Sequence, residues 1–465
     1  MISCQNFLLS AACLLLISAP AIAQTTSRQA QAPTTPFLGS VPKGTPTPDT
    51  LALSVKDAVQ RGLEANLGLL LQEESETTAR GARWRALADL LPTVSGTLGS
   101  RRQVINLEAF GFQVQPSIVG PFNVHDARVF LSQPVIDLSA LNDARAAALT
   151  VQAEKYGVKT ARDLVVLVAV NLYLEAVATG SRVEMTRAQQ STAEALFKQA
   201  QDLKAAGIVA GIDVLRAQVQ MQTQRQRVIA AESDFEKAKL QLARAIGLPL
   251  GQAFTLTDKM PYAPMPVPSI DVVLGRALES RPDFLAAKSR VEAAQATLRG
   301  ANDALLPSLH FDADYGAIGQ SYAAAHGTYT LAATIRVPVF DGNTKARRVE
   351  AGSALRQREA ELADIRGRVE YEVRAALLDL RAADLQLQAS TTNVQLAEAE
   401  LTQARDRFGA GVASNLEITQ AQEAVAAASE QYISSLYSHN FAKASLARAL
   451  GIAESAVTTY LGGAQ

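Results

Sequence analysis

The sequence predicts a mainly α-helical chain with a small β part, built as two copies of one long-helix hairpin unit. Three observations carry this reading. First, KAAGIVAGIDVLRAQ (Lys204 to Gln218) and FGAGVASNLEITQAQ (Phe408 to Gln422) lie 204 residues apart; the same shift carries Pro134-Val-Ile-Asp137 onto Pro338-Val-Phe-Asp341 and Ala245-Ile-Gly-Leu248 onto Ala449-Leu-Gly-Ile452. Separated anchors at one offset define an internal repeat, which settles architecture before any local reading does. Second, an Ala-rich run from about Ser139 to Lys204 contains no proline. At 1.5 Å per residue such a helix is roughly 100 Å long; it needs a bundle, a coiled coil or a tube wall. Third, a short region before each PV-x-D motif alternates apolar and polar residues, the period of a strand.

Taken in order, the first 23 residues hold no charge, include the apolar run Phe7 to Ile17 and end Ala21-Ile22-Ala23, which reads as a secretory signal peptide. Residues 24–50, rich in Pro, Thr, Ser, Gln and Gly, read as a flexible extension. The first repeat spans 51–248: helix from Leu51 to Leu90, stopped by Pro92; a β-hairpin over 93–135; the long helix; a turn at Gly207 and Gly211; and a helix from Asp213 to about Ile246. Residues 249–268, with five prolines, read as an inter-repeat linker. The second repeat, 269–453, follows the same plan: helix Asp271 to Leu306, a β-hairpin over 308–340, helix Lys345 to Arg407 and helix Ser414 to Leu450, with a C-terminal tail at 454–465. The motif Leu-Leu-Pro at 90–92 and 305–307 is offset by 215 rather than 204, so the first copy carries about eleven extra residues in its hairpin loop.

The strands hold the most useful chemistry. Leu309, Phe311, Ala313 and Tyr315 alternate with Ser308, His310, Asp312 and Asp314; Tyr329, Leu331, Ala333 and Ile335 alternate with Thr328, Thr330, Thr334 and Arg336. A half-buried soluble sheet gives the same period, but each strand is about ten residues, the length of a tilted barrel strand crossing a bilayer. Tyr315 and Tyr329 then stand where a lipid-interface girdle belongs. In the first copy Val94, Leu98, Val129 and Leu131 fit one face, while Phe130 falls on the other. Four strands cannot close a barrel, and an open edge in lipid leaves backbone groups unpaired, so a membrane reading requires several chains.

These motifs resemble the TolC family of outer-membrane efflux and secretion channels: the duplication, LLP before each hairpin, PVID and PVFD after it, and the FGAG-type turn leading into an acidic helix start. The likeness covers roughly residues 51–453. It implies a homotrimer with one shared twelve-stranded outer-membrane β-barrel and a trimeric α-barrel across the periplasm of a Gram-negative bacterium. It also implies a periplasmic adaptor and an inner-membrane transporter as partners, with this chain as a passive exit duct. The family places the FGAG-type turn at a periplasmic tip with a ring of acidic side chains, so Asp213 and Glu417 are its candidate gate residues. Local chemistry offers another reading: Ser414 and Glu417 form a capping box, and Asp213 suits the positive end of a helix. Phe408 and Ala413 stand where the family's closing links use tyrosine and arginine, and Gln420 where a second acid is expected, so that gating scheme does not carry over. Asp137 and Asp341, each following a strand end, read as helix N-caps, and Gly207 and Gly411 sit in the turns joining long helices, where backbone needing positive φ favours glycine.

Other function classes lack support. There is no P-loop, no Gly-x-Ser-x-Gly and no His-Glu-x-x-His, and the four histidines are scattered, so no enzyme is expected. His310, Asp312 and Asp314 share a strand face but lie too far apart to chelate tightly, so no metal or other cofactor is expected and the set reads as a pore-facing strip with Arg336. Cys4 and Cys13 both fall in the expected signal peptide, which excludes a disulfide framework. A net charge of −1 gives no reason to expect nucleic acid. The remaining rival is a soluble periplasmic coiled-coil adaptor or scaffold. Beyond the signal no apolar run approaches the length of a membrane helix; the best, Leu164 to Val170, stops at Asn171.

Overall fold

The computed structural model describes residues 35–258, 260, 265, 269–339, 341–410, 412 and 415–460. The expected signal peptide, Gly411, Ala413 and Ser414 lie outside them. The compact unit starts at Pro36. Its elements are β1 (Leu51–Leu53), α1 (Val55–Ala65), α2 (Leu67–Ala88), β2 (Thr93–Asn106), β3 (Ile118–Ile136), α3 (Leu138–Ala205) and α4 (Gly211–Ala245). Then follow β4 (Phe254–Leu256), α5 (Ile270–Ser280), α6 (Pro282–Asp303), β5 (Ser308–Gly319), β6 (His326–Arg336), α7 (Gly342–Gly409), α8 (Asn415–Ala449) and α9 (Ala453–Tyr460).

The two 68-residue helices, α3 and α7, set the frame. α3 packs along α2 and α4 and also along α6 and α8, and α7 packs along α6 and α8. The result is a strip one helix thick whose outer members are α2 and α4 at one edge and α7 at the other. Small residues let the helices approach closely: Ala144, Ala153, Ala161, Ala169, Ala176 and Ala193 of α3 are all buried.

The short helices differ from expectation in one respect. Leu51 to Leu90 is not one helix: Leu51–Leu53 is a strand, and the helix is broken at Asn66. Ser54 and Asp57 form a capping box that starts α1 after β1. Asn66, extended at φ −66° and ψ 129°, caps α2 by accepting from Gly68 N at 2.9 Å and donates to Phe37 O at 2.7 Å. The matching break in the second copy falls at Arg281, where Pro282 at the first position of α6 disfavours helix in the residue before it. Each break is received by a glycine ending a long-hairpin helix. Gly247 (φ +72°) leaves room for Ala65, whose Cβ would lie 2.3 Å from an added Cβ; Gly451 (φ +68°) does the same for Arg281 Cα at 2.8 Å. Both conformation and space require glycine there.

Around these breaks lies an equatorial core. β1 pairs in parallel with β4, which occupies part of the segment expected to be a plain linker. Three residues per strand are too few to show a period, which is why the pair was not legible. Tyr173, fully buried on α3, donates its hydroxyl toward Leu53 O (3.0 Å) and Asp258 Oδ2 (2.9 Å), and Asp258 accepts from Val55 N at 2.7 Å. The stretch of α3 that is long and apolar enough to cross a membrane is 61% buried and belongs to this core. Part of the expected flexible extension is pinned here too: Lys43 Nζ donates to Glu64 O (2.9 Å) and Thr47 N to Gln252 Oε1 (2.7 Å). The expected tail likewise begins with α9, docked on α3 by Arg162, whose guanidinium reaches Glu454 at 2.9 Å.

The residue beside Arg162 carries a cost. Asp163 is buried and accepts from the backbone of Glu454; burial pushes its carboxyl up to about 6. Because that lies above the ordinary 3.8, the fold holds a proton the unfolded chain has lost between the two values. Its contribution to stability therefore declines as pH rises from 3.8 to about 6 and stays low above. Asp163→Asn, which keeps an acceptor, is expected to raise stability at neutral pH by up to about 3 kcal/mol and to flatten that slope. Urea unfolding in detergent, followed by circular dichroism across this range, checks it; an unchanged slope would refute it.

Candidate functional site

The strands form one antiparallel sheet in the order β2-β3-β5-β6. Its register aligns residues from both repeats. Val94, Leu131 and Ala313 share a row with Leu331; Gly96, Val129 and Tyr315 share the next with Tyr329; Leu309 stands beside Ile335 and Phe311 beside Ala333. Partners across an antiparallel ladder lie on one face, so one face is apolar from edge to edge. Within the protomer, Tyr315, Tyr329, Leu331 and Ile335 are all exposed, each 66–72%.

The opposite face is polar. Asp312, Asp314 and His310 stand opposite Ala332, Thr330 and Thr334, and Arg336 opposite Ser308. Arg128 binds Asp314 across the β3–β5 pair, reaches Thr328 Oγ1 at 3.1 Å and Asp126 at 3.3 Å, and Ser132 donates to Asp312 at 2.6 Å. His310 contacts Ser308 at 3.2 Å rather than either aspartate, so the three do not converge. Among the described residues no group of His, Cys, Asp and Glu could hold a metal. Phe130, opposite Asp314, is the apolar intruder on this face.

Each strand continues into a helix. Asp137 caps α3 by accepting from Ala140 N at 2.9 Å; Asp341 caps α7, accepting from Asn343 N at 2.9 Å and Thr344 Oγ1 at 2.8 Å. These bonds hold the Asp341 carboxyl below its usual range, the Thr344 hydroxyl contributing most.

The far ends of α3 and α7 carry the turns. Gly207 adopts φ +76°, where left-handed backbone favours glycine. α4 starts at Ala210 without a side-chain cap, leaving Asp213 in its first turn, 3.5 Å from Arg216. Glu417 pairs with Arg407 across its turn at 3.3 Å. Gln420 is exposed on α8. Phe408, at the tip position noted from sequence, is buried with Ala404, Ile418 and Ala421 against Leu203 and Val209 of the other hairpin. Without a hydroxyl it has no polar group to keep in water, so it packs inward.

Two features escaped the sequence reading. Glu423 bridges the hairpins, accepting from Gln220 and Arg227 at 3.0 Å each. Burial pushes its carboxyl up, but these two donors outweigh that and leave it below the ordinary value. Tyr371, Leu378 and Leu385, spaced by seven along α7, form an exposed seam; that heptad spacing was legible in the sequence.

Together these features define a membrane-inserted sheet continued by a long helical wall. The chain belongs to the outer membrane efflux protein family, whose model matches twice, at residues 59–248 and 273–452. It is 25% identical over 387 residues to the pyoverdine export outer membrane protein OpmQ of Pseudomonas putida, covering 80% of this chain and 81% of that one. It is 26% identical to the toluene efflux pump outer membrane protein TtgC of another P. putida strain (78% and 76% covered), and 22% to the alkaline protease secretion protein AprF of P. aeruginosa (87% and 88%). Solved structures share the fold: the Campylobacter jejuni CmeC outer membrane channel (TM-score 0.74, 17% identity, 90% and 92% covered) and the Vibrio cholerae outer membrane protein VceC (TM-score 0.74, 17%, 85% and 96%).

Phe408→Ala is expected to open a cavity in the distal cluster worth about 3–5 kcal/mol. Hydrogen exchange should then speed up in the last turns of α3 and α7 and spare the equatorial core; uniform protection throughout would show that Phe408 does not hold the tip.

Proposed function

We propose that this protein is the outer-membrane exit duct of an efflux or secretion system, a passive conduit assembled from three copies of the chain. The observation that carries the reading is the open four-stranded sheet, apolar across one face and unpaired along β2 and β6 within the protomer. Three copies supply twelve strands, and pairing β6 of one with β2 of the next removes both edges. Leu309, Phe311, Tyr315, Tyr329, Leu331 and Ile335 then face lipid, while His310, Asp312, Asp314 and Arg336 line the pore.

The helical strip supports the same closure. Its α7 edge carries the Tyr371, Leu378 and Leu385 seam, and α4 at the other edge exposes Ile229 and Leu240 at a similar distance from the distal turns. Each seam suits the other in a coiled-coil contact between neighbouring copies. A closed ring also gathers Asp213 and Glu417 from three chains, six carboxylates at one end of the duct. Arg216 and Arg407 beside them temper that field, which attracts cations more weakly than bare acids would. A conduit spanning one membrane needs an inner-membrane transporter for energy and a periplasmic adaptor to join them. The relatives' names carry pyoverdine export, toluene efflux and alkaline protease secretion, a spread that supports a duct leaving the choice of cargo to its partners.

Two measurements test this. Extracted in mild detergent, the protein should have the native mass of three chains and be absent from the soluble fraction; a soluble monomer would favour the adaptor reading. Leu331→Lys or Ile335→Lys should abolish membrane assembly, at a cost of about 2–4 kcal/mol per lipid-facing charge near the bilayer midplane, while Thr330→Lys and Thr334→Lys are tolerated. Equal tolerance at both pairs would sink the barrel.

A further inference from the structure

We propose that the β2–β3 tips of three copies meet over the barrel axis and form an apolar constriction at its outer mouth. This rests on the duct reading above. The four strands run together only as far as the rows His125–Gly319 and Ile318–His326. β2 and β3 continue alone, Arg101 pairing Val124, Gln103 pairing Phe122 and Asn106 pairing Ile118. This two-stranded ribbon and its loop hold the residues by which the first hairpin exceeds the second.

The ribbon's end is apolar and uncovered. Phe110 is 71% exposed and Phe112 60%, with Val114 and Ile118 exposed beside them. Such a patch marks an interaction surface. Hydrocarbon does not cover it. The lipid-facing band ends at Leu98 and Ala127, and the next positions on that face are Ser100, Arg102, Asn123 and His125. Asn106 lies eight residues past Leu98, which after strand tilt puts the loop roughly 18 Å above the band, beyond the headgroups. The protomer's own sheet does not cover it either.

What lies within reach is the same tip on the other copies. β2 is the free edge of the sheet, so the ribbon rises from the seam between neighbours. Val124 and Phe122 continue the pore-facing row of Arg128 and Asp126, with Arg101 and Gln103 beside them on that face, so the apolar surface lies at the ribbon's end, around Phe110 and Phe112. Tyr322, from the shorter hairpin, rests on the His125 ring at 4.5 Å and braces the ribbon's base. A twelve-stranded barrel has a radius of about 13 Å, less than the roughly 23 Å length of the seven-residue ribbon. Three leaning ribbons therefore reach the axis. An apolar ring there limits water and ions by dewetting, a second point of restriction far from the distal turns.

Disulfide trapping tests the contact. In a Cys4→Ser, Cys13→Ser background, Phe112→Cys should give dimers between copies on mild oxidation, and Ser100→Cys, on the outward face, should not. In planar bilayers the double variant Phe110→Asp, Phe112→Asp should raise single-channel conductance about twofold or more over the parent. A three-chain particle with no trapped dimer and unchanged conductance overturns the constriction and leaves the duct standing. A preparation without the three-chain mass overturns both, since no axis then exists.

Discussion

A sheet with two free edges cannot stay open in hydrocarbon, and most of this molecule follows from that. Water would satisfy the outer backbone groups of β2 and β6; lipid offers nothing, at several kcal/mol per unpaired group. Among the described residues no helix packs along those edges, and the register aligns apolar side chains from both repeats across the outer face. Closure by other copies is the remaining solution. Because each strand is covalently continuous with one helix (α2 into β2, β3 into α3, α6 into β5, β6 into α7), closing the sheet closes the helical strip with the same count.

That one-to-one match creates a mismatch of width. Strands repeat every ~4.8 Å and helices every 8–10 Å, so the wall must flare where one becomes the other. The flare is marked by prolines: Pro92 and Pro307 on the way into the sheet, Pro134 and Pro338 on the way out. Lacking a donor, each lets the chain leave the ladder without forfeiting a hydrogen bond. Asp137 and Asp341 then restart the helix by supplying the acceptor that its first turn needs. The equatorial breaks at Asn66 and Arg281 serve the opposite need, interrupting a short helix so that α1 and α5 sit against the middle of α3 and α7.

What the sequence disclosed follows the range of the signal. Helices of 68 residues and strands alternating over eight or more positions repeat their period often enough to be read, and the 204-residue offset pairs their ends. β1 and β4 have no period to detect. Pro282 is a local signal for the break at Arg281 that the expected helix Asp271 to Leu306 passed over; at Asn66 the cap on Gly68 is local, but the buried side chain also reaches partners 29 and 179 residues away, which no local window contains. The alignment of Val94 with Leu331 across four strands depends on register, and only the pairing supplies it. Phe408 illustrates the limit at the tip. Its missing hydroxyl was legible and removed the family's closing link, but the partners it packs against, Leu203 and Val209 of the other hairpin, lie roughly 200 residues away in the sequence.

The two repeats are not interchangeable, and one site shows how they diverged. In the first copy Gly180 makes room for the ring of Phe235, whose edge would lie 3.2 Å from an added Cβ, and Lys239 stands over Phe235 and Phe254 at 5.4 and 5.2 Å. The same offset places Asp384, His439 and Lys443 in the second copy. There Lys443 is 2% exposed; burial lowers its ammonium and the His439 imidazole, and the Asp384 charge partly opposes both shifts. Lysine stands at 239 and 443 alike, so the copies differ at two of these three positions; an aspartate against Phe235 alone would bury a charge on an apolar ring. An aromatic contact in one hairpin thus became a charged one in the other, which gives each hairpin a distinct interior and fixes which is which around a ring that would otherwise be nearly sixfold.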